Sequence, residues 1–286
     1  MKSLAIITGA SSGIGKEFAR QITDKNEYDE IWIIARRIDK LKQIADELNS
    51  TRNFTVVRPV QMDISGKQGV YEFQKLLDEE NKKLNKVESA IEIKLLVNNA
   101  GFGTYGPFTQ TSAERSMQMI DLNCTSLTGF CAIAIPYMKK DSVIINTASL
   151  AAYMPLGNFA AYSATKAYVL SFSIALAAEL KDKNIKVCAL CPGSVSTEFA
   201  DVASNGARKE VKGGIGTQKV VKQCLKRAFK GRKTSMLRFK WKFNAFLSRI
   251  VGRYTVARFT YKYAKRPCNP DEKTVTEEEL SVTDFI

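Results

Sequence analysis

Leu4-Ala-Ile-Ile-Thr8 runs directly into Gly9-Ala-Ser-Ser-Gly-Ile-Gly15, and this junction decides the fold. An apolar run is followed by glycines at 9, 13 and 15 and then by a stretch that opens a helix. Glycines let a backbone turn tightly and approach a bulky ligand. The start of a helix offers unsatisfied N–H groups and the positive end of its dipole, which suits a pyrophosphate. A glycine-rich turn can be purely structural, but strand, glycines and helix in this order favour a dinucleotide site. Gly9, Ser11, Ser12, Gly13, Ile14 and Gly15 would surround the phosphates.

Further strands are predicted at Ile31–Ala35, Phe54–Val60, Ile93–Asn98, Ser142–Thr147 and Ile185–Leu190, with a short last one at Thr234–Leu237. They are rich in Ile, Val and Leu without alternation, as expected of strands covered on both faces. Between them lie amphipathic stretches such as Leu41, Ile44, Ala45 and Leu48. Repeated strand–helix units predict an α/β fold, a doubly wound parallel sheet of Rossmann type with right-handed crossovers. The charge run Asp78–Glu92 reads as a solvated helix end and loop.

A dinucleotide site specific for NAD carries an acid about 20 residues after the glycines, to hold the ribose. Here Ala35-Arg36-Arg37 ends the second strand and no acid occurs before Asp39. A guanidinium suits a 2′-phosphate through paired, charge-assisted hydrogen bonds. Arg36 and Arg37 therefore point to NADP(H), although they could also be plain solvent cover for a strand end.

The chain has no histidine, which excludes Ser-His-Asp and Cys-His triads. Tyr162-Ser-Ala-Thr-Lys166 is a candidate for proton transfer, although a Tyr and a Lys at this spacing also fall by chance on a surface helix. Residues four apart share a helix face. A cation about 4 Å from a phenol is worth roughly 4 kcal/mol at an effective dielectric of about 20, enough to draw a tyrosine from about 10 toward neutrality.

Together these segments resemble the short-chain dehydrogenase/reductase family. The matching residues are Thr8–Gly15, Asp63, Asn98-Asn-Ala-Gly101, Asn123, Ser149, Tyr162, Lys166 and Pro192-Gly193, in the family's order over roughly residues 1–200. With Arg36 and Arg37 the resemblance is to the NADPH-using branch, which includes steroid and 3-ketoacyl-thioester reductases and bacterial oxidoreductases of unassigned substrate. The resemblance implies interconversion of a carbonyl and an alcohol. Tyr162 would donate the proton, Lys166 would lower its pKa and hold the nicotinamide ribose, and Ser149 would hydrogen-bond the substrate oxygen. Asn123 would hold a water linking Lys166 to solvent. Asp63 and Ile64 would meet the adenine, and Asn99, Ala100 and Gly101 its ribose. Pro192, Gly193, Val195 and Thr197 would line the nicotinamide side. Family members often pair through the helices carrying Asn123 and Tyr162, so a homodimer or homotetramer is expected. The substrate loops carry Phe102, Tyr153, Met154, Leu156 and Phe199, an apolar set suited to a lipophilic carbonyl. The alternative is a non-catalytic NADP(H) sensor or a membrane-associated scaffold.

The 286 residues are 45% hydrophobic and 25% charged, ordinary globular composition. The longest apolar-rich stretch, Leu127–Met138, is interrupted by Thr128, Gly129 and Pro136, which argues against a spanning helix. Without a signal-peptide pattern, the expected location is cytoplasmic, with membrane association an open possibility. Six cysteines, Cys188-x-x-Cys191 among them, sit in apolar segments and read as buried reduced thiols; no metal site is expected.

The net charge of +14 is local. Residues 208–266 hold nineteen Lys and Arg against the single acid Glu210. The chain thus divides into a core (1–207), a basic helical extension covering the substrate site (208–266) and an acidic tail (267–286) that reads as loose over 271–286. Val221, Cys224, Leu225, Ala228 and Phe229 mark one helix of the extension. Phe243, Phe246, Leu247, Ile250, Val251 and Tyr254 mark a second. Three readings compete for it: a substrate cover and subunit contact, a peripheral membrane contact within 219–266, or a nucleic-acid surface. The membrane reading would use Trp241, Phe243, Phe246 and Tyr254 as apolar contacts; no recognised motif supports the nucleic-acid reading.

Overall fold

The fold is taken from a computed structural model, which describes residues 1–25, 27–50, 56–85, 90–209 and 213–269. Seven strands form one sheet: β1 (Lys2–Thr8), β2 (Glu30–Ala35), β3 (Val56–Gln61), β4 (Ile91–Asn98), β5 (Val143–Thr147), β6 (Lys186–Leu190) and β7 (Thr234–Ser235). Their order is β3-β2-β1-β4-β5-β6-β7, and every neighbouring pair is parallel. The order reverses between β1 and β4, so a crevice opens at the C-terminal ends of these two strands, where doubly wound sheets bind ligands. Of the strand predicted over Phe54–Val60, Phe54 and Thr55 lie outside the described residues. Pro59 is tolerated in β3 because β3 is the edge strand.

The helices are α1 (Gly13–Thr23), α2 (Ile38–Asn49), α3 (Gly66–Asn85), α4 (Ala113–Ile120), α5 (Leu127–Ala134), α6 (Ala160–Glu179), α7 (Phe199–Ala203), α8 (Thr217–Phe229), α9 (Phe239–Ile250) and α10 (Arg253–Tyr263). They cover both faces of the sheet. Alternate residues of β1 divide between two half-cores. Leu4 and Ile6 join Phe73, Phe130 and Val169 on one face. Ala5 and Ile7 join Phe18, Leu41 and Val221 on the other. This is why the strands read as continuous apolar runs. Phe73 and Phe130 stack with ring centroids 3.9 Å apart, the aromatic contact that fixes α3 against α5.

A π-helical turn, Asp121–Ser126, joins α4 to α5 into one helical stretch. Among the described residues, Ala113–Tyr137 is long and apolar enough to cross a membrane by length and composition. Its Met119, Leu127, Phe130, Cys131 and Ala134 are buried in the protein, so its apolarity is that of a core helix.

The basic segment is not one structural unit. α8 sinks Val221, Cys224, Leu225 and Ala228 into the second half-core and β7 extends the sheet. The single helix expected from Phe243 to Tyr254 is broken. Val251 and Gly252 turn extended, with ψ of 131° and 134°, and the chain restarts as α10. Gly252 is the helix breaker that the apolar spacing masks. Trp241, expected as a membrane contact, is instead buried at 7% exposure and belongs to the second half-core. The tail expected to be loose, 271–286, lies outside the described residues; just before it, the backbone N–H of Asn269 donates to Ser204 O at 3.0 Å. The six cysteines form no disulfide with one another. Four are buried as expected, but Cys124 and Cys268 are only half-buried.

Candidate active site

The glycine turn closes where β1 meets α1. Gly9 has φ +66°, and a Cβ there would stand 2.8 Å from Ala100 Cα; a Cβ on Gly15 would collide with the carbonyl of Gly9. Only glycine allows the turn to lie this close to the end of β4. The Thr8 hydroxyl fastens that approach by accepting from the backbone N–H groups of Asn99 (3.0 Å) and Ala100 (3.1 Å). Asn99 returns the contact, its Nδ2 donating to Thr8 O at 3.2 Å and Gly9 O at 3.3 Å.

Ser12 stands at the N-cap of α1 without making a side-chain capping bond. Its hydroxyl accepts instead from Arg37 Nη2 at 2.9 Å, while Arg37 Nε and Nη2 also reach the Ser11 hydroxyl at 3.1 and 3.0 Å. The amides of the first turn of α1 are thereby left to an anion. Arg37 is further paired to Glu198 at 2.9 Å, and Lys40 meets the same carboxylate at 3.0 Å. Burial pushes the Glu198 carboxyl up, and bonds from Lys40, Arg37 and Ser12 outweigh it and hold the group below its usual range. Glu198 had no signal in the sequence, because it arrives from the far side of the site next to Thr197. Arg36, at the end of β2, is exposed. The two arginines thus differ: Arg37 braces the turn, and Arg36 faces solvent beside it.

Asp63 is exposed and accepts from Ser65 N at 3.1 Å, with Ile64 buried behind it. Both stand just past β3, on the outer side of the glycine turn. Thr197 lies across the turn, its Cγ2 3.1 Å from where a Cβ on Gly13 would be. Val195 forms an isolated bridge with Ile215. Gly193 lies under the indole of Trp241, which a Cβ there would strike. Pro192 O accepts from Leu150 N at 2.8 Å and so ties the end of β6 to the turn carrying Ser149.

The expected proton-transfer residues do converge. Tyr162 and Lys166 lie one turn apart on α6, 6% and 4% exposed. Lys166 Nζ donates to Thr147 O at 2.7 Å and stands 5.7 Å from the Tyr162 ring centroid. Ser149 caps the short helix Leu150–Tyr153, accepting from Ala151 N at 3.1 Å and donating to Pro192 O at 3.5 Å, and lies near enough to Tyr162 to act on its phenol. The electrostatics differ from the expectation. Burial lifts the Tyr162 phenol well above its ordinary value, and Ser149 only partly offsets it. Burial brings Lys166 down to about 8, with Cys124 and Cys191 acting in the opposite direction. Spacing alone sets the Tyr–Lys geometry; desolvation, which spacing does not reveal, decides which form each group prefers.

Asn123 sits in the π-helical turn at 1% exposure. Its Oδ1 accepts from Phe102 N at 3.1 Å, and its Nδ2 donates to Phe102 O at 2.9 Å and Thr165 Oγ1 at 3.0 Å. The side chain is thereby committed to the 101–102 loop. It pins Gly101, where a Cβ would lie 2.6 Å from Asn123 Oδ1 and 3.4 Å from Lys166 Nζ.

Around Tyr162 is an aromatic cluster that the sequence showed only in part. Phe102, Leu156 and Phe199 are there as expected. Phe159 stacks on Tyr162 with centroids 4.1 Å apart, and Tyr105 meets Phe159 at 4.9 Å. Tyr153 faces away from the cluster, its hydroxyl toward Cys191 Sγ at 3.8 Å. Phe159 immediately precedes α6, and that position was its one available signal.

These residues fit a nicotinamide dinucleotide. A glycine cradle abuts an uncapped helix start, and a buried ammonium with one backbone acceptor lies across the crevice beside a phenol. Among the described residues, no three His, Cys, Asp or Glu side chains cluster to hold a metal.

The comparisons with known proteins agree with this geometry. The sequence profile of the short chain dehydrogenase family matches residues 3–207. A very-long-chain 3-oxoacyl-CoA reductase of Coccidioides immitis is 33% identical over 189 residues, 65% of this chain and 51% of that protein. The 17-beta-hydroxysteroid dehydrogenase type 3 of Mus musculus is 32% identical over 214 residues, 73% of this chain and 65% of that protein. The chain therefore spans about half the length of the fungal reductase it matches. A short-chain dehydrogenase from Sphingobium yanoikuyae, solved in complex with NADPH, superposes with a TM-score of 0.72 at 26% identity, covering 87% of this chain and 94% of that one. With a family profile spanning the glycine turn, Ser149, Tyr162 and Lys166, this chain belongs to the short-chain dehydrogenase family.

Proposed function

We propose that the protein interconverts a ketone or aldehyde and an alcohol with NADP(H), on a lipophilic substrate such as a steroid or fatty acyl thioester. The observation that carries this reading is the buried Tyr162–Lys166 pair, with Ser149 near enough to act on the phenol. In reduction, Tyr162 gives its proton to the carbonyl oxygen while Ser149 donates a hydrogen bond to the same oxygen, where negative charge develops. The nicotinamide would supply the hydride. A phenol held protonated by burial is suited to act as this acid. Lys166 binds the nicotinamide ribose, and its positive charge favours the phenolate left behind. Asn123 is a positioning residue that holds the Gly101–Phe102 turn over Lys166.

Arg36 supports NADP(H) over NAD(H): it is exposed beside the ribose end of the turn, and Ala35 and Arg37 flank it without an acid. Arg36 would hold the 2′-phosphate, with Arg37 already committed to Ser11, Ser12 and Glu198. An apolar enclosure of Phe102, Tyr105, Leu156, Phe159 and Phe199 supports a lipophilic substrate. A sensor without catalysis would have no use for Ser149 beside Tyr162. A screen of NADPH oxidation across ketosteroids, 3-ketoacyl thioesters and long-chain aldehydes tests the reading, with consumption expected for at least one class and none for any class overturning it. In the same assay, Arg36→Asp should shift preference toward NADH by roughly tenfold or more; an unchanged cofactor ratio would remove Arg36 from the 2′-phosphate.

Two associations complete the reading. Met117, Ile120 and Tyr168 are 43–57% exposed on the outer faces of α4 and α6, which supports pairing of copies there. The exposed aromatic and basic surface of α9 and α10 supports peripheral contact with a membrane, and six cysteines without a disulfide among them suit a cytoplasmic site of action. Nucleic acid has no recognised motif here.

A further inference from the structure

We propose that the face of α9 and α10 docks on an anionic lipid bilayer and that docking opens a strap, residues 264–269, lying over Tyr162. This rests on the functional reading above and adds a regulation to the same site.

The face is built the wrong way round for water. Phe239, Phe246, Ile250, Tyr254, Phe259 and Tyr263 are each 60–80% exposed. The opposite side is anchored: Trp241 and Ala245 are buried, and Ser248 Oγ donates to Tyr153 O at 3.0 Å. The aromatic side is thus held outward rather than left unfolded. An exposed apolar surface of this extent marks an interaction site. Between α9 and α6 lies a groove of about 740 Å³, lined by Leu170, Ile174, Phe246 and Ile250, with Lys242 and Arg253 also along it. It offers acyl chains an apolar seat and headgroup phosphates two cations.

Charge selects the occupant. Lys240, Lys242, Arg253, Arg258, Lys262 and Lys265 share the two helices and the turn that follows, and no Asp or Glu occurs between residues 211 and 266. A second copy on a two-fold axis would set this face against itself, cation against cation. An anionic bilayer meets both properties at once, since basic residues attract its headgroups and aromatics settle at its interface.

The same hairpin reaches the catalytic mouth. Thr260 Oγ1 accepts from Gly157 N at 2.9 Å, and Tyr261 O accepts from Asn158 Nδ2 at 3.0 Å. Beyond α10, Arg266 Nη1 donates to Gly157 O at 3.1 Å and its guanidinium lies 5.1 Å from the centroid of Phe159, the ring stacked on Tyr162. Cys268 Sγ then contacts Ala203 O at 3.8 Å, and Asn269 joins Ser204 and Asn205. The strap crosses from the 157–159 loop to α7, the two rims of the aromatic enclosure, and Tyr162 beneath it is 6% exposed. A substrate reaches the phenol only when this crossing lifts. The element that must move hangs from the element that would touch lipid, and a handful of hydrogen bonds hold it.

The test uses the full chain with phosphatidylglycerol–phosphatidylcholine vesicles against pure phosphatidylcholine vesicles. Three readouts are taken: sedimentation, NADPH oxidation with a long-chain ketone, and alkylation of Cys268 by iodoacetamide followed by mass spectrometry. The proposal expects sedimentation with the anionic vesicles alone, at low salt. It expects Cys268 alkylation and turnover to rise roughly tenfold in that arm, as a shift from a closed to an open population requires. The double variant Phe246→Ser/Tyr254→Ser should lose sedimentation and both increases while keeping the vesicle-free rate on a small water-soluble aldehyde. Thr260→Val, which unties Gly157, should raise Cys268 alkylation without vesicles. Unchanged Cys268 alkylation in sedimented protein would overturn the strap. Failure to sediment, with single-stranded DNA bound instead or with an oligomer that Phe246→Ser/Tyr254→Ser dissolves, would overturn the lipid assignment. Faster Cys268 alkylation with no turnover of any carbonyl would uphold this proposal and remove the catalytic one.

Discussion

The sheet core and the α9–α10 hairpin put aromatic side chains to opposite uses. In the core, Phe18, Trp32, Phe73 and Phe130 are at most 1% exposed and close the two half-cores on the sheet. In the hairpin, Phe239 and Tyr254 are 80% exposed, and Trp241 alone of its large aromatics is buried. Both regions are amphipathic by spacing, yet the hydrophobic effect that folds the core leaves the hairpin's apolar face in water. The difference teaches that one region's apolar surface is consumed by folding and the other's is available for binding. The catalytic centre lies between them, built by the core and closed over by the hairpin's continuation.

Substitutions at aromatic positions sharpen this contrast. Phe130→Ala removes a fully buried ring stacked on Phe73, and should cost about 3–5 kcal/mol in a denaturant titration. A loss below about 1 kcal/mol would mean that α5 is not fixed by that stack. Trp241→Ala should cost less, about 2–3 kcal/mol, because part of the indole's burial is against a hairpin that can detach without unfolding the sheet. Phe246→Ser should leave stability within about 0.5 kcal/mol, as for any surface change; a large loss would place that ring in a packed interface.

A pH series separates the buried pair from the rest of the core. Lys166 titrates near 8 in the fold, against 10.5 ordinarily. Between these values the unfolded chain holds more protons, so this residue's contribution to stability rises with pH across the window. Cys124, Cys131 and Cys191, pushed up to about 11, 12 and 12 by burial, act in the opposite direction above about 9. Subtracting a Lys166→Met variant cancels Cys131, and the window from about 8 to 9 lies near or below the ordinary value of Cys124 and Cys191, which interact with Lys166. The stability of the wild type relative to this variant should climb by at most about 1.4 kcal/mol per pH unit in this window, and a flat difference would mean that Lys166 is not desolvated.

The sheet was legible in the sequence because its strands carry their signal locally. Ile31–Ala35 and Val143–Thr147 are apolar on both faces, and the observed ends differ from the expected ones by one or two residues. The glycine turn and the Tyr162–Lys166 pair were legible for the same reason, since each depends on short-range spacing; Ser149, alone no more than a helix cap, was expected only through the family resemblance. What escaped depends on the environment. Spacing brings Lys166 one turn from Tyr162, but burial, which raises the phenol instead of lowering it, comes from Phe159, Tyr105 and Phe199, brought in by separate segments. Trp241 and Phe243 look alike as members of a basic aromatic stretch; only the position of β6 shows that one lies on Gly193 and the other in solvent. Arg266 had no motif, because its partners Gly157 and Phe159 lie over 100 residues earlier in the chain.

The central claim is that Tyr162 is the proton donor of an NADPH-dependent carbonyl reduction. It is tested most directly by pairing Tyr162→Phe with the wild type on a substrate from the oxidation screen. Turnover and NADPH affinity are measured in the same preparation, the second by quenching of protein fluorescence. Removing the hydroxyl while retaining the ring should lower turnover by about 10²–10⁴-fold, with NADPH affinity changed by less than about threefold. Turnover within a factor of about ten of the wild type, at unchanged NADPH affinity, would contradict the account and assign the proton to another group.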